Sequence, residues 1–299
     1  MPMSWKVHAG VTAGQHHARM EITTHPSYIP QGAAEAHTLP AHAHAQPAQP
    51  TLPNQPRLQA VWAQHEDDVR AAQQLRWRVF SQEMGARLPR LPGAPEGHDI
   101  DIYDRFCEHL IIRTTATEDQ PSEVVGTYRL LTPGGAKLVG GLYTDTEFDL
   151  VRLRHLRPRI AELGRSCIDE RWRTGGVIML LWSSLAAFMD RNGLDVMLGC
   201  ASVPMRDGGH LAASLWNQLR QEHLAPIEHH VTPRLPLPVD ELDGSLQVEP
   251  PALIKGYLKC GAKVLGAPAW DPDFGTADLP MMLQMREMSP AYKRRLLGA

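Results

Sequence analysis

The sequence predicts an α/β fold built around a mixed sheet, and three observations predict it. Short β-prone runs alternate with stretches of 3–4-residue apolar spacing from about residue 60 onward. The ordered part opens with a helical pattern followed by a two-strand hairpin pattern. A sixteen-residue uncharged run, Thr174–Met189, begins at a Gly-Gly pair, as a helix buried against a sheet does.

Taken in order, residues 1–57 are rich in Pro, His, Ala and Gln and poor in apolar runs, which predicts a disordered tail ending in a Pro/Gln linker. Residues 58–299 then read as a single domain. Val61, Val69, Ala72, Leu75, Val79 and Met84 recur at helical spacing, predicting a helix over 60–84 capped by Gly85. A Pro/Gly-rich loop, 88–98, follows. Strands are expected over 107–114 and 124–131, joined by the polar turn 117–122 and ended by Gly134-Gly135. The basic stretch 153–159 has no decisive pattern. A central strand is expected over 160–169, then a helix from Gly175-Gly176 to about Asn192, stopped by Gly193. A strand over 195–203, a helix over 209–223, Pro-rich loops over 226–251, a short helix over 251–261 and a last strand over 281–288 complete the reading.

Composition narrows the function classes. The formal charge is −3, and residues 58–299 carry 27 basic and 31 acidic groups, which disfavours nucleic acid because phosphate neutralisation needs a basic domain. The four cysteines are far apart with no C-x-x-C pair, so neither a zinc knuckle nor a disulfide framework is expected, and no metal site is predicted. No basic n-region with an apolar run marks a signal peptide. The uncharged run falls short of the roughly 20 apolar residues that span a bilayer, so it reads as a core helix. These features suggest a cytoplasmic enzyme.

The most informative segment is Glu162-Leu-Gly-Arg-Ser-Cys-Ile-Asp-Glu-Arg-Trp-Arg-Thr-Gly-Gly176. A strand running into glycines and a helix presents free N–H groups and a positive dipole end, a combination that binds phosphate, with Arg171 and Arg173 flanking it. A plain tight turn would leave the same glycines. The loop is neither a Walker loop nor a G-x-G-x-x-G fingerprint.

Arg171-x-x-Thr174-x-Gly176 resembles a degenerate phosphopantetheine-binding loop of GNAT-type N-acyltransferases. The string over 162–173, with Gly-Cys-Ala-Ser at 199–202 and Lys-Gly-Tyr-Leu-Lys-Cys-Gly-Ala at 255–262, is similar to the ornithine N-acyltransferases of bacterial ornithine-lipid synthesis. These are GNAT-like proteins related to acyl-homoserine lactone synthases and sometimes labelled haemolysins. Arg76-x-x-x-Phe80, Asp99-x-Asp101-x-x-Asp104, Arg129-Leu-Leu and Glu162-x-x-Arg165 match the lactone-synthase pattern in order. The resemblance covers roughly residues 58–288.

It implies a three-layer fold with a central, mostly antiparallel mixed sheet flanked by helices. It also implies transfer of a fatty acyl group, such as a 3-hydroxyacyl group, from acyl carrier protein to the α-amine of ornithine, giving lyso-ornithine lipid. No tightly bound cofactor is expected; the donor is the carrier with its 4'-phosphopantetheine, held by Arg171, Arg173, Thr174, Gly175 and Gly176. Glu162 is the candidate base, or alternatively a structural partner of Arg165. Arg76 and Phe80 fall among the substrate-binding positions. Asp99, Asp101 and Asp104 would face the amines of ornithine and Arg129 or Arg165 its carboxylate, unless the Asps only cap turns. Backbone N–H groups over 166–168 could serve the developing oxyanion, Cys167 is a minor candidate nucleophile, and Tyr257 either protonates the leaving thiolate or packs.

Arg152, Arg154, Arg157 and Arg159 form a basic stripe suited to an acidic carrier or to anionic lipid. With Lys293-Arg294-Arg295 it suggests peripheral contact with the inner membrane. The competing readings keep the fold and change the acceptor to glycine, lysine, glutamine or S-adenosylmethionine, or make the chain a non-catalytic, haemolysin-like lipid binder.

Overall fold

The computed structural model describes residues 57–117, 120–173 and 175–298. The predicted disordered tail therefore lies, but for Arg57, outside the described residues.

The first apolar residues do not join the first helix. Leu58–Trp62 is an edge strand, β1, antiparallel to β2 (Glu108–Thr114), and α1 begins at Glu66 (Glu66–Arg76). The reason is a period of two ahead of the helical one. Leu58, Ala60 and Trp62 pack on one face against a cluster that includes Val177, Leu181 and Leu185, with the Trp62 ring 4.6 Å from Phe188. Beyond Arg76 the helix widens into a π-helical segment, Trp77–Glu83.

β3 (Val124–Leu131) completes the hairpin with β2. Three short elements follow: α2 (Pro133–Val139), α3 (Thr144–Glu147) and β4 (Phe148–Asp149). Then come β5 (Ile160–Ile168), α4 (Gly176–Arg191), β6 (Val196–Pro204), α5 (His210–Glu222), β7 (Thr232–Pro233), α6 (Ala252–Cys260), β8 (Lys263–Val264), β9 (Ala269–Asp271), β10 (Thr276–Gln284) and α7 (Pro290–Leu297). The main sheet runs β1-β2-β3-β5-β6-β10-β8, with β9 on β10; β4 and β7 pair separately. Among the described residues only β5 and β6 are parallel in the main sheet, so the expected mixed, mostly antiparallel sheet is what forms.

β10 begins at Thr276 rather than at the predicted Met281, and pairs with β6 over nine positions to Gln284. Asp278 and Pro280 interrupt its apolar run, and a proline argues against an interior strand. The expected end, 285–287, is a 3-10 turn. α7 was not foreseen.

The uncharged segment is the core helix expected. Val177, Leu181, Leu185 and Met189 of α4 are essentially inaccessible and cover β2, β3 and β5. Each such side chain contributes about 1.5–3 kcal/mol by leaving water. On the opposite face, Leu75 of α1 with Val79 and Phe80 cover Cys167. On the α4 face, α5 and α6 pack on β6 and β10, and Tyr257 of α6 meets Trp182 of α4.

One irregularity positions the site. β5 and β6 pair only from Ile160↔Val196 to Glu162↔Leu198, although both strands continue several residues further. β5 stays with β3 to Ile168 and β6 stays with β10, so the two strands splay apart. Gly199 sits where they part: a Cβ there would stand 2.4 Å from the Leu163 carbonyl oxygen. β5 is also bulged against Tyr128, and Arg165 adopts a left-handed backbone at φ 49°.

Candidate active site

The splay opens into a cavity of about 370 Å³, walled by residues 164–168 of β5 and 199–202 of β6. One side is polar, with Arg129, Glu162, Arg165, Asp271 and Asp278; the other is apolar, with Trp182, Leu185, Met281, Leu283 and Leu296. An amphipathic substrate with a charged head and an aliphatic chain suits such a wall.

Glu162 is 5% exposed at the root of the splay. Its Oε1 accepts hydrogen bonds from Thr144 N (2.6 Å) and Thr144 Oγ1 (2.5 Å), and Oε2 accepts one from Tyr143 N (2.7 Å). Burial raises its carboxyl above the ordinary value, against the pull of these donors. A carboxylate has about four acceptor sites, so one on Oε2 remains open. The supporting turn is itself braced: Asp145 Oδ2 accepts from Leu142 N at 2.9 Å, and Arg157 forks onto Asp145.

Glu162 is not the partner of Arg165, contrary to one of the two sequence readings. Arg165 lies on the bulge, which turns its guanidinium to Asp99 (3.2 Å) and Asp101 (3.2 Å) and stacks it on Phe274, 4.7 Å from the ring centroid. The acidic triplet also departs from its expected role toward the substrate's amines. Asp99 and Asp104 both bind Arg76, at 2.8 Å each, and Asp101 binds Arg129 at 2.6 Å. Three carboxylates and three guanidiniums thus neutralise one another behind the cavity wall, a requirement for charges so buried. Burial would raise Asp101, yet the facing Arg129 and Arg165 hold it below its ordinary value. Of the triplet's companions, Phe80, Arg129 and Arg165 reach the cavity, and Arg76, wholly inaccessible, does not.

At the other end of β5, Gly175 has φ 87° and Gly176 opens α4, so the expected strand–glycine–helix element forms. Thr174 lies outside the described residues. Arg171 binds Asp169 (2.9 Å) and Glu123 (3.0 Å), and Arg173 binds Glu83 (2.6 Å), so each flanking arginine already holds a carboxylate.

The basic stripe does not border this loop. Arg152, Arg154, Arg157 and Arg159 precede β5, whereas Gly175-Gly176 follow it, a separation of about 30 Å along a nine-residue strand. Three of the four serve the fold: Arg157 braces Asp145, Arg159 pairs with Asp195 (2.9 Å) and Arg152 donates to the Ile227 carbonyl (2.7 Å). The thiol of Cys167 is buried and pushed up to about 12 by that burial, which disfavours it as a nucleophile. Tyr257 lines the cavity, packs on Trp182 at 5.6 Å and hydrogen-bonds the Tyr128 hydroxyl, so packing accounts for it.

Residues 75–183 match the family model described as an acetyltransferase (GNAT) domain. The chain is 34% identical to the L-ornithine N(alpha)-acyltransferase of Brucella abortus, over 75% of this chain and 83% of that protein. It is 34% identical to the Rhizobium meliloti protein of the same name, over 83% and 87%. The chain belongs to the L-ornithine N(alpha)-acyltransferase family. Among solved structures it is similar to a CoA-dependent acyl-homoserine lactone synthase, at 15% identity over 82% of this chain and 92% of that one, with a TM-score of 0.47.

The resemblance read from the sequence is therefore borne out at the level of family and fold. The GNAT match begins at the end of α1 and spans the π-helical segment, the Arg–Asp network, β5, the glycine loop and the start of α4. It stops short of β6, α6 and the β9–β10 hairpin, which supply the rest of the cavity. Sequence reasoning missed Thr144, which holds Glu162, and Asp271 and Asp278, which enter from that hairpin. The one available signal was three acids, Asp271, Asp273 and Asp278, in the otherwise uncharged stretch 265–283.

Proposed function

We propose that this chain transfers a fatty acyl group from the phosphopantetheine thioester of acyl carrier protein to the α-amine of L-ornithine, giving lyso-ornithine lipid. Family membership supports the acceptor. The observation that carries the mechanism is Glu162 at the root of a strand splay whose far side is apolar. In the proposed reaction the thioester lies in the splay, with its chain along Trp182, Leu185 and Leu296. Glu162 Oε2 takes a proton from the ammonium, directly or through water, and the freed amine attacks the thioester carbon. The C–N bond forms, the C–S bond breaks, and the carrier's thiolate leaves and is protonated. The thioester is already activated, so the step requires no resident cofactor.

Arg165 is the candidate partner for the carboxylate of ornithine, its Nε lacking a hydrogen bond although 3.2 Å from Asp99. Bulged backbone N–H groups at 165–166 are candidates for the oxyanion. The donor phosphate is assigned to the N-terminus of α4 with Arg171 and Arg173, and the carrier to the adjoining edge that also bears Arg78, rather than to the stripe at 152–159. Among the described residues no helix is long and apolar enough to cross a membrane. Lys293, Arg294 and Arg295 of α7 are exposed, which supports peripheral contact with an anionic bilayer at the cytoplasmic face of the inner membrane.

The test offers 3-hydroxyacyl carrier protein with ornithine, lysine, glycine or glutamine and identifies products by mass spectrometry. N-acyl-ornithine as the dominant product is expected. Absence of any N-acyl product, with the carrier still bound, would favour the lipid-binding alternative.

A further inference from the structure

We infer that Asp271 and Asp278, backed by Glu147, seat the side-chain ammonium of a dibasic amino acid and so select the acceptor; the inference rests on the amino-acid acylation proposed above. The β9–β10 hairpin brings the two aspartates to the cavity. Thr276 is opposite Asp271, and Asp278 is opposite Ala269 on one side and Ser202 of β6 on the other. Asp271 is 5% and Asp278 3% exposed, and both line the cavity that Glu162 and Arg165 line. Asp271 accepts hydrogen bonds from the backbone N–H groups of Asp273 (2.9 Å) and Phe274 (3.0 Å), and Asp278 accepts one from the Thr276 hydroxyl (3.0 Å).

Among the described residues, no arginine, lysine or histidine lies within ion-pair distance of Asp271, Asp278 or Glu147. This contrasts with Asp99, Asp101 and Asp104, each of which holds an arginine. Carboxylates taken out of water without a cation are unfavourable, and Asp278 and Glu147 carry the mark of it. Burial and Asp271 push Asp278 up to about 6, and burial with Asp271 and Asp278 pushes Glu147 up to about 7. A cation is the missing component.

A second, independent observation identifies what carries that cation. The Arg165 side chain is only 8% exposed, and its Nε is buried without a hydrogen-bond partner. It lies on the same cavity wall, over the Phe274 ring that follows Asp271 in the hairpin. An arginine with one N–H unsatisfied beside carboxylates lacking a cation complements a molecule bearing a carboxylate and an ammonium. The free α-amine must remain near Glu162, so the cation at the aspartates is a second one, on the side chain.

The test compares kcat/KM for ornithine, lysine and norvaline, the last having the carbon chain of ornithine without its terminal amine. The wild type is expected to favour ornithine over norvaline strongly. Asp278→Asn, Asp271→Asn and the half-buried Glu147→Gln should each lower that ratio, by about tenfold or more for the two aspartates, with the loss in the KM for ornithine. Thermal melting verifies that each variant folds, and Glu147→Gln keeps the test open should a hairpin variant fail to fold. Variants that retain the wild-type ratio overturn the inference while leaving ornithine acylation intact. A wild type that turns over norvaline as well as ornithine also overturns it. A wild type that acylates no amine overturns the acylation reading itself.

Discussion

The basicity of Glu162 is set by three hydrogen bonds from Tyr143 and Thr144 opposing the effect of burial. Thr144→Val removes the hydroxyl donor, so the Glu162 carboxyl should rise further. As the proposed base, Glu162 acts only when ionised, and the acidic limb of the kcat profile should therefore move to higher pH, measured as initial rate against pH. Glu162→Gln should lower kcat by about 10²–10⁴. The Arg–Asp network has a different role. Arg76 is inaccessible and holds two carboxylates, so Arg76→Met leaves Asp99 to Arg165 alone and Asp104 to Arg129 at 3.6 Å, with two buried ion pairs lost, and should destabilise the fold by about 3–5 kcal/mol in urea unfolding. The resemblance to the lactone-synthase pattern placed these acids and arginines at one site. It could not show that they bind one another rather than substrate, because that depends on the bulge at Arg165, a long-range feature of β5 against β3.

Among the elements, the parting of β5 from β6 matters most. Gly199→Ala sets a Cβ against the Leu163 carbonyl at 2.4 Å, so the strands must shift where Glu162 is placed. A fall in melting temperature together with a loss of kcat is expected. The β9–β10 hairpin carries an opposite relation between stability and function. The carboxyl of Asp278 titrates at about 6 in the fold against 3.8 ordinarily, so the fold gains most from it below pH 3.8 and loses that gain as the pH rises through 6. The loss is about 3 kcal/mol at full ionisation. Asp278→Asn should therefore melt higher than the wild type at pH 8, and the two should converge near pH 4. The long elements were legible because one periodicity governs each: β2, β3, β5, α4, β6 and α5 lie within a few residues of expectation. β1 was hidden because its alternation runs directly into a helix, and the start of β10 because Asp278 and Pro280 interrupt its run.

For the molecule as a whole, the motif-bearing half of the site and its other half differ in how far they could be read. Glu162, Arg165 and the glycine loop lie within one contiguous string, and a local string carries its chemistry with it. The apolar wall and the two aspartates come from α4, α6, β9, β10 and α7, which meet only after folding. The basic stripe at 152–159 shows the converse. Four nearby arginines suggested one surface, but the fold assigns three of them to Asp145, Asp195 and the Ile227 carbonyl. Substituting Arg171 and Arg173 by alanine should therefore raise the KM for the acyl carrier more than substituting Arg152 and Arg154, as read by initial rates against carrier concentration. The most direct test of the central claim is the initial rate of N-acyl-ornithine formation from 3-hydroxyacyl carrier protein by the wild type and by Glu162→Gln at saturating ornithine. N-acyl-ornithine is expected from the wild type, with at least about a hundredfold lower kcat from the variant. Equal rates would contradict Glu162 as the base, and no N-acyl-ornithine from the wild type would contradict the function.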